Sequence, residues 1–239
     1  MSVIRTESRD NILFITIDRV AKKNSLTMDV VDEINAALDH ADNERVIVFR
    51  GEGGFFSAGA DVSQFRNISS EEAAFFSRKG NEMMDRIQNF DAVSLAALEG
   101  GAYGGGLELA LSCDIRVASP TTKLGLTEIN LGIFPGWGGL KRISVLAGKG
   151  PARYVALTGR VVTGTDAFSL GIVSVLADDP ADYTLKLASE LSQKSKESIR
   201  RIKKLLSRDV YQSDEESRLF GEVVVTREAR ELVEKFLKR

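Results

Sequence analysis

The sequence predicts an α/β fold for most of the chain and a helical subdomain for the remainder. Strand-like apolar runs alternate with amphipathic helical segments in the first half, a pattern typical of crossover connections onto a sheet. Helical segments follow one another in the second half, with only four prolines in the chain and no low-complexity linker between the halves. We therefore predict an α/β core at residues 1–180 and a helical C-terminal subdomain at residues 181–239.

Each element of the first half has its own sequence signal. Four apolar runs predict strands: 11–18, 45–50, 92–98 and 114–119. Between the first two runs, Thr27 is suited to cap a helix that continues to about residue 42. Ser70, followed by Glu71 and Glu72, predicts the start of a second helix.

The second half consists mostly of helical segments: 137–148, 150–159, 165–171, 181–195, 196–209 and about 214–238. The first three end at Gly148, Gly159 and Gly171, because glycine adopts the left-handed conformation that terminates many helices. The last segment mixes both signs of charge and is typical of a solvated helix.

Composition disfavours several classes of protein. The formal net charge is −2, from 32 basic and 34 acidic side chains, which disfavours a nucleic-acid-binding protein. A single cysteine, Cys113, excludes an intramolecular disulfide and is compatible with a reducing compartment. The N-terminus has no features of a targeting segment, and no apolar run approaches about 18 residues, so no membrane span is predicted. We expect a cytoplasmic protein.

A single histidine, His40, limits the chemistry that the chain can perform. It lies near the end of a predicted helix, where an ordinary surface role is the simplest interpretation. A Ser-His-Asp triad or a histidine-rich zinc site is therefore disfavoured. Carboxylates and backbone groups are the remaining candidates.

Two glycine-rich turns each follow a predicted strand, at residues 51–62 and 100–106. The second precedes a helix but has neither the G-x-G-x-x-G spacing nor a Walker A lysine. Backbone N–H groups at a helix N-terminus bind anions, and glycine permits close approach, so Gly105 is a candidate donor. Small residues around Ala60 in the first turn offer a second donor, and together they predict an oxyanion hole. The alternatives are close packing of a helix on a sheet for residues 100–106 and an ordinary loop for residues 51–62.

Two glutamates, Glu108 and Glu128, lie among apolar residues and glycines. Burial raises the pKa of a carboxyl group, and neighbouring carboxylates push their pKa values apart. Such a pair is suited to supply one acid and one base. A surface or helix-cap role is the alternative for either residue taken alone.

Five segments together resemble the crotonase superfamily, which contains enoyl-CoA hydratases and isomerases. They are 18–26 (DRVAKKNSL), 51–62 (GEGGFFSAGADV), 100–119 (GGAYGGGLELALSCDIRVAS), 124–143 (LGLTEINLGIFPGWGGLKRI) and 157–176 (LTGRVVTGTDAFSLGIVSVL). Their order and spacing are similar to those of the family, closest to the enoyl-CoA hydratases. The resemblance implies a ββα spiral core with C-terminal helices.

The same resemblance implies an acyl-CoA thioester substrate and a role for each candidate group. The N–H groups of Ala60 and Gly105 would hold the thioester oxygen. Glu108 would help to activate the water that adds at the β-carbon, and Glu128 would supply the α-proton. Isomerases of this superfamily commonly keep only the second glutamate, so the pair favours syn hydration of a trans-2-enoyl-CoA to a 3-hydroxyacyl-CoA, and its reverse. Coenzyme A is then part of the substrate, and no resident cofactor or metal is expected.

The resemblance also implies further substrate contacts, from Ser57, Ala58, Gly59, Asp61 and Gly104. The loop at 19–26 would contact the CoA nucleotide and pantetheine, with Lys22 and Lys23 available near phosphates, although plain surface charge is an open alternative.

Trp137 stands where family members often have alanine. We hypothesise that it shapes or shortens the acyl pocket together with Phe75, Phe76, Met83 and Met84. Core packing is the alternative for these aromatic residues and methionines.

Family members form trimers, often paired into hexamers, so a homotrimer or homohexamer is expected, and Phe236 and Lys238 could complete a neighbour's CoA site. Fatty acid metabolism by β-oxidation is the implied context. Alternatives are a Δ3-Δ2-enoyl-CoA isomerase or another acyl-CoA enzyme of this fold. An RNA-binding role is disfavoured by the near-neutral charge, and a dinucleotide-dependent oxidoreductase by the glycine spacing.

Overall fold

Two sheets form the centre of the molecule, as seen in a computed structural model that describes residues 2–41, 43–207 and 213–237. The described strands are β1 (Ile4–Arg9), β2 (Ile12–Ile17), β3 (Val46–Gly51), β4 (Val93–Leu98), β5 (Gly101–Tyr103), β6 (Ile115–Ala118), β7 (Lys123–Gly125), β8 (Val162–Thr163) and β9 (Val175–Leu176). The larger sheet has the order β1-β2-β3-β4-β6-β9, and the smaller has the order β5-β7-β8. Only β1 in the larger sheet and β8 in the smaller run antiparallel to their neighbours.

Helices connect the parallel strands and then dominate the second half. The described helices are α1 (Met28–Asp39), α2 (Ser70–Asn89), α3 (Gly105–Ser112), α4 (Gly139–Ala147), α5 (Lys149–Thr158), α6 (Gly164–Ser169), α7 (Pro180–Leu191), α8 (Lys196–Leu206), α9 (Ser213–Val224) and α10 (Arg227–Leu237). Crossovers through α1 and α2 join β2, β3 and β4, because parallel neighbours need such a connection. The predicted α/β fold class with a helical C-terminal region is confirmed.

Both faces of the larger sheet are covered, so β2 is buried at all six positions. Its odd-numbered residues, such as Ile15, join the main core with α1, α2 and α3. Its even-numbered residues, Ile12 and Phe14, join a second cluster that contains Ala188 of α7 and Ile199 of α8. Alternation along the strand therefore distributes side chains between two cores. The predicted division between residues 180 and 181 stays a prediction.

The helix starts show which sequence signals act through hydrogen bonds. The α2 helix begins at Ser70 as predicted, and Ser69 and Glu72 form a reciprocal capping box before it. Thr27 does occupy the N-cap position of α1, but its side chain makes no capping hydrogen bond, and its buried Oγ1 has no hydrogen-bond partner among the described residues. The prediction of a Thr27 side-chain cap was therefore wrong in mechanism and right in position.

Several features differ from the sequence prediction: the strands β1, β5, β7, β8 and β9 lie outside the four predicted runs, and the predicted last helix is divided. The strand β1 was not predicted, because only Ile4 of its six residues is buried and it lacks an apolar signal. The predicted last helix is two helices, since Thr226 ends α9 with a backbone bond to Val223 and accepts the N–H of Ala229 in α10 at 3.3 Å. Lys238, the predicted end of that helix, lies outside the described residues.

Within the described part of the chain, no helix combines the length and apolar character needed to cross a membrane. His40 is exposed at the C-terminal end of α1, as expected for an ordinary helix-end histidine.

Candidate active site

The two glycine-rich turns are joined to each other. Ser57 and Ala102 form a parallel bridge, in which the Ser57 N–H donates to Gly101 at 3.2 Å and the Tyr103 N–H donates to Ser57 at 3.0 Å. A Cβ on Gly106 would lie 2.6 Å from the Ser57 carbonyl oxygen, so only glycine permits this approach. The loop after β3 is thereby held against the N-terminus of α3.

The predicted donors, Ala60 and Gly105, come together where the turns meet. A Cβ placed on Gly105 would lie 3.2 Å from the Ala60 nitrogen, and one on Gly59 would lie 3.0 Å from the Gly105 nitrogen. Within residues 2–41, 43–207 and 213–237, neither the Ala60 nor the Gly105 N–H donates a hydrogen bond. Two free donors, one at a helix N-terminus, form a site suited to a developing negative oxygen.

Gly104 sets the entry into α3. Its φ of +49° and ψ of −125° are closed to other residues, and its N–H is used by a 2.9 Å bond to the Gly125 carbonyl. A Cβ at this position would lie 3.2 Å from Oε1 of Glu128. Gly104 therefore leaves room for the second glutamate directly beside the free N–H groups.

Glu108 lies in the first turn of α3, and its side chain is only 2% exposed. Its Oε1 accepts two backbone N–H groups, from Trp137 and from Gly139, each at 2.8 Å. Burial raises the pKa of this carboxyl to about 7; the Gly139 hydrogen bond opposes that rise, and the charge of Glu128 adds to it. The two N–H groups stabilise the ionised form and fix the side chain.

Glu128 begins a 3-10 turn, Glu128–Leu131, and has the opposite environment. Both carboxyl oxygens are buried, and neither has a hydrogen-bond partner among the described residues. Burial raises the pKa of Glu128, against a weak opposing backbone interaction. A buried carboxyl that lacks donors favours its neutral form, so this group is suited to hold a proton.

The pair therefore combines a hydrogen-bonded carboxylate with an unpartnered carboxyl beside two free N–H donors. This arrangement is suited to take a proton from one position and deliver one to another, while charge on an oxygen is stabilised.

Arg142 supports this centre and was missed by sequence reasoning. It is 5% exposed; its Nη1 donates to the Trp137 carbonyl at 2.8 Å, and its Nη2 pairs with Asp85 at 2.5 Å. Its charge lowers the pKa of Glu108, although less than burial raises it. Arg142 lies inside the matched segment 124–143, but its spacing alone carries no signal of this contact.

Asn24 is a second residue that was not singled out. It has a positive φ of +54°, and its Nδ2 donates to the carbonyls of Glu52 at 2.9 Å and Phe55 at 2.6 Å. Its own carbonyl accepts the Ser57 hydroxyl at 2.8 Å. Asn24 thus ties the loop before α1 to the turn that supplies Ala60.

The small residues predicted as substrate contacts have different surroundings. Ser57 is fully buried, and its Oγ also accepts the Gly59 N–H at 3.1 Å, so its side chain stabilises the loop. The Asp61 carboxylate accepts the Ser63 hydroxyl at 2.7 Å and lies 3.5 Å from Arg19, and the Ser63 bond is the main cause of its lowered pKa. Ala58 is exposed, and its N–H donates to Lys23 at 2.9 Å.

Lys22 and Lys23 are exposed on the loop that precedes α1. The Lys23 ammonium lies 5.8 Å from the ring centre of Phe55, and Lys23 adopts a positive φ of +48°. Their contact with CoA phosphates stays a prediction.

Trp137 is 2% exposed and packs inside the molecule. Its Nε1 donates to the Phe76 carbonyl at 3.3 Å, and the two ring centres lie 5.0 Å apart. Of the other residues in the pocket hypothesis, Met83 and Met84 are fully buried in the main core, whereas Phe75 is 51% exposed.

Known proteins are similar to this chain over nearly its full length. The sequence matches the enoyl-CoA hydratase/isomerase family over residues 7–239. A probable enoyl-CoA hydratase of Bacillus subtilis is 36% identical, over 90% of this chain and 88% of that protein. The 2,3-dehydroadipyl-CoA hydratase of Escherichia coli is 32% identical, over 100% of this chain and 97% of that protein. The crystal structure of an enoyl-CoA hydratase from Bacillus anthracis matches with a TM-score of 0.93 at 27% identity, over 99% of this chain and 96% of that chain.

Proposed function

The chain belongs to the enoyl-CoA hydratase/isomerase family, and from this premise we propose that it hydrates trans-2-enoyl-CoA thioesters to 3-hydroxyacyl-CoA products, reversibly and with syn addition. One observation carries the proposal: two glutamates with buried carboxyl oxygens and opposite hydrogen bonding lie beside a pair of free N–H donors. Hydration needs a base for water, an acid for the α-carbon and a site for the enolate oxygen, and the three features meet these needs.

The thioester oxygen binds the N–H groups of Ala60 and Gly105. As water adds to the β-carbon, electron density moves through the double bond to this oxygen. Donors that are already fixed in place stabilise that charge without reorganisation. Their removal from bulk water strengthens the interaction.

Glu108 accepts a proton from the water whose oxygen bonds to the β-carbon. Its ionised form is stabilised by the Trp137 and Gly139 N–H groups, and a pKa of about 7 makes it an effective base near neutral pH. Glu128, in its protonated form, gives its proton to the α-carbon. Each turnover protonates Glu108 and ionises Glu128, and proton exchange then restores the pair.

The test is the loss of enoyl-thioester absorbance from crotonyl-CoA with purified protein. We expect rapid loss for the wild type and a decrease of about 100-fold or more for Glu108→Gln and Glu128→Gln. Glu99→Gln is the matched control, because Glu99 is another partly buried glutamate whose pKa burial raises, outside the pair. We expect it to retain activity.

Two outcomes would contradict the proposal. A folded wild type that binds CoA but leaves crotonyl-CoA and longer 2-enoyl thioesters unchanged would exclude hydration. A Glu108→Gln variant that keeps full activity on a 3-enoyl-CoA would favour the Δ3-Δ2-enoyl-CoA isomerase instead.

Assembly as a homotrimer or homohexamer is part of the proposal. The C-terminal helices expose a series of large apolar side chains: Phe220, Val224, Leu232, Val233, Phe236 and Leu237. Such surface is typical of a protein interface. Light scattering should give three or six chains, and Phe236→Ser should shift the distribution toward smaller species. A monodisperse monomer would contradict the proposed assembly. The proposed hydration is tested separately, by the enzyme assay.

We also propose a cytoplasmic enzyme of β-oxidation with no resident cofactor, metal or nucleic-acid partner. The balanced charge supports the exclusion of nucleic acid. Lys22 and Lys23 would then contact CoA phosphates. Their joint replacement by alanine should raise KM for crotonyl-CoA in a salt-dependent way and leave kcat nearly unchanged.

A further inference from the structure

An aromatic row runs from the two N–H donors toward the surface. The Trp137 and Phe76 ring centres lie 5.0 Å apart, and those of Phe76 and Phe65 lie 5.2 Å apart in an edge-to-face arrangement. Phe76 also lines an open groove of about 530 Å³ between the 63–68 segment and α2. Phe76 therefore contacts both this groove and Trp137.

The indole of Trp137 lies directly against the donor residue Gly105. A Cβ placed on Gly105 would be 3.1 Å from both Cε3 and Cζ3 of the indole, and 3.2 Å from the Ala60 nitrogen. An acyl group whose carbonyl oxygen is held by these N–H groups would therefore lie next to the indole.

Gly80 makes room for the indole on its other side. It lies inside the 20-residue helix α2, where glycine costs helix stability relative to alanine. A Cβ at Gly80 would overlap Nε1, Cδ1 and Cε2 of Trp137. The absence of a side chain at position 80 leaves the space that the indole occupies, so the two residues are sterically complementary.

Hydrogen bonds fix Trp137 at three atoms. Its N–H donates to Glu108 at 2.8 Å, its carbonyl accepts Arg142 at 2.8 Å, and its Nε1 donates to Phe76 at 3.3 Å. Rotation of the side chain would break the indole bond and leave a buried N–H without a partner. The ring is therefore a rigid wall.

We propose that Trp137 closes the acyl site, so that the enzyme accepts short 2-enoyl chains and excludes chains of about eight carbons or more. This inference rests on the proposed hydration of enoyl-CoA and adds its substrate class. A rigid indole that fills the path of the chain imposes steric cost on every carbon beyond it.

The test compares kcat/KM for butenoyl-, hexenoyl- and octenoyl-CoA. In the wild type we expect a decrease on the order of 100-fold from butenoyl to octenoyl. Trp137→Ala should reduce that ratio by about tenfold or more, and Trp137→Phe should lie between, since these changes remove all or part of the wall. The backbone N–H that holds Glu108 remains in both variants.

Phe168→Ala is the matched control, because Phe168 is a half-exposed aromatic of α6 that belongs neither to the aromatic row nor to the groove lining. It should leave the butenoyl-to-octenoyl ratio unchanged. A wild type that hydrates octenoyl-CoA with the same kcat/KM as butenoyl-CoA would contradict the inference that Trp137 limits chain length, but not the proposed function. So would a Phe168→Ala variant that changes the ratio as much as Trp137→Ala does.

Calorimetry of wild-type protein with butanoyl- and octanoyl-CoA tests the wall without turnover or folding of a variant. An open apolar pocket would tighten binding about fourfold for each added CH₂. We expect no gain, or weaker binding, for octanoyl-CoA. Strong tightening would overturn the inference even if the enzyme assay had excluded hydration, so the two failures are distinguishable.

Discussion

The centre around Glu108 and the C-terminal helix pair α9–α10 are opposite kinds of structure. Every residue of α3 is buried, and its glycines touch backbone or ring atoms of other elements. In α10 no residue is buried, and a Cβ on Gly221 of α9 would meet no atom of the described residues within 4 Å. Small changes therefore act strongly in the centre through packing, whereas the helix pair tolerates them and depends on local propensity.

Among these variants, Gly106→Ala in the centre should have the largest effect on stability and activity. The new Cβ would approach the Ser57 carbonyl to 2.6 Å and its Cβ to 2.8 Å, forcing the two turns apart. We expect a loss of about 3–4 kcal/mol in the free energy of unfolding, together with most of the activity. Urea unfolding and the crotonyl-CoA assay measure both. A fully active variant of wild-type stability would show that the turns need no such contact.

The second prediction concerns stability against pH. The folded pKa of Glu108, about 7, lies above the ordinary value of 4.5, so the folded state binds more protons between these values. Wild-type stability due to this group is therefore present at low pH and lost as pH rises through 7. Glu108→Gln should gain up to about 3 kcal/mol relative to the wild type between pH 4 and pH 9. Urea midpoints across this range check it.

Asp166→Asn is the control of opposite sign for the pH series. The Thr163 hydroxyl bond lowers the pKa of Asp166, so its stabilising effect is present at neutral pH and is lost in acid. A difference between wild type and Glu108→Gln that does not vary with pH would contradict the elevated pKa.

The surroundings of Glu108 also show how much of the candidate site could be predicted from the sequence. Glu108, Glu128, Ala60 and Gly105 could be proposed as site residues because their motifs are local and glycine-rich. The N–H groups that hold Glu108 come from Trp137 and Gly139, about thirty residues away, and only the packing of α4 on α3 brings them there.

The fold shows the same limit. Buried strands such as β2 carry an apolar signal, whereas β1 is exposed at five of six positions and was missed. The break between α9 and α10 depends on one threonine in a sequence that keeps helical periodicity on both sides. Where a local pattern and tertiary contacts agree, the sequence sufficed; where contacts alone decide, it did not.

Asn24→Ala should have the next largest effect. The change removes the side-chain donor from the carbonyls of Glu52 and Phe55. It also leaves alanine at a φ of +54°, a conformation that alanine rarely adopts. We expect about 2 kcal/mol of destabilisation, measured by urea unfolding. Asn35→Ala, on the partly buried side of α1, is a suitable asparagine control and should cost less. Equal effects would contradict the role of Asn24 as a tie between the loops.

The pH–rate profile should distinguish the base from the acid. If Glu108 must be ionised, kcat/KM should decrease about tenfold per pH unit as pH falls below about 7. Burial raises the pKa of Glu128 as well, so ionisation of this acid should lower kcat/KM as pH rises above that pKa. Initial rates with crotonyl-CoA at constant ionic strength measure the profile. A flat acid limb down to pH 5 would contradict the role of Glu108.

The smallest effect should be a gain from Gly221→Ala in α9. With nothing near the new Cβ, the change acts only through helix propensity, and we expect up to about 1 kcal/mol of stabilisation with unchanged activity. Thermal unfolding measures it. A destabilised variant would indicate a contact made by α9 in the assembled protein.

The contact between Gly80 and Trp137 also constrains the order in which this sequence can change. Alanine at position 80 overlaps the indole while Trp137 is present, yet it favours the helix once the indole has been replaced. Substitution at 137 must therefore come first, and alanine at 80 would then hinder the return of tryptophan. A change in substrate range that used both substitutions would therefore be easier to make than to reverse.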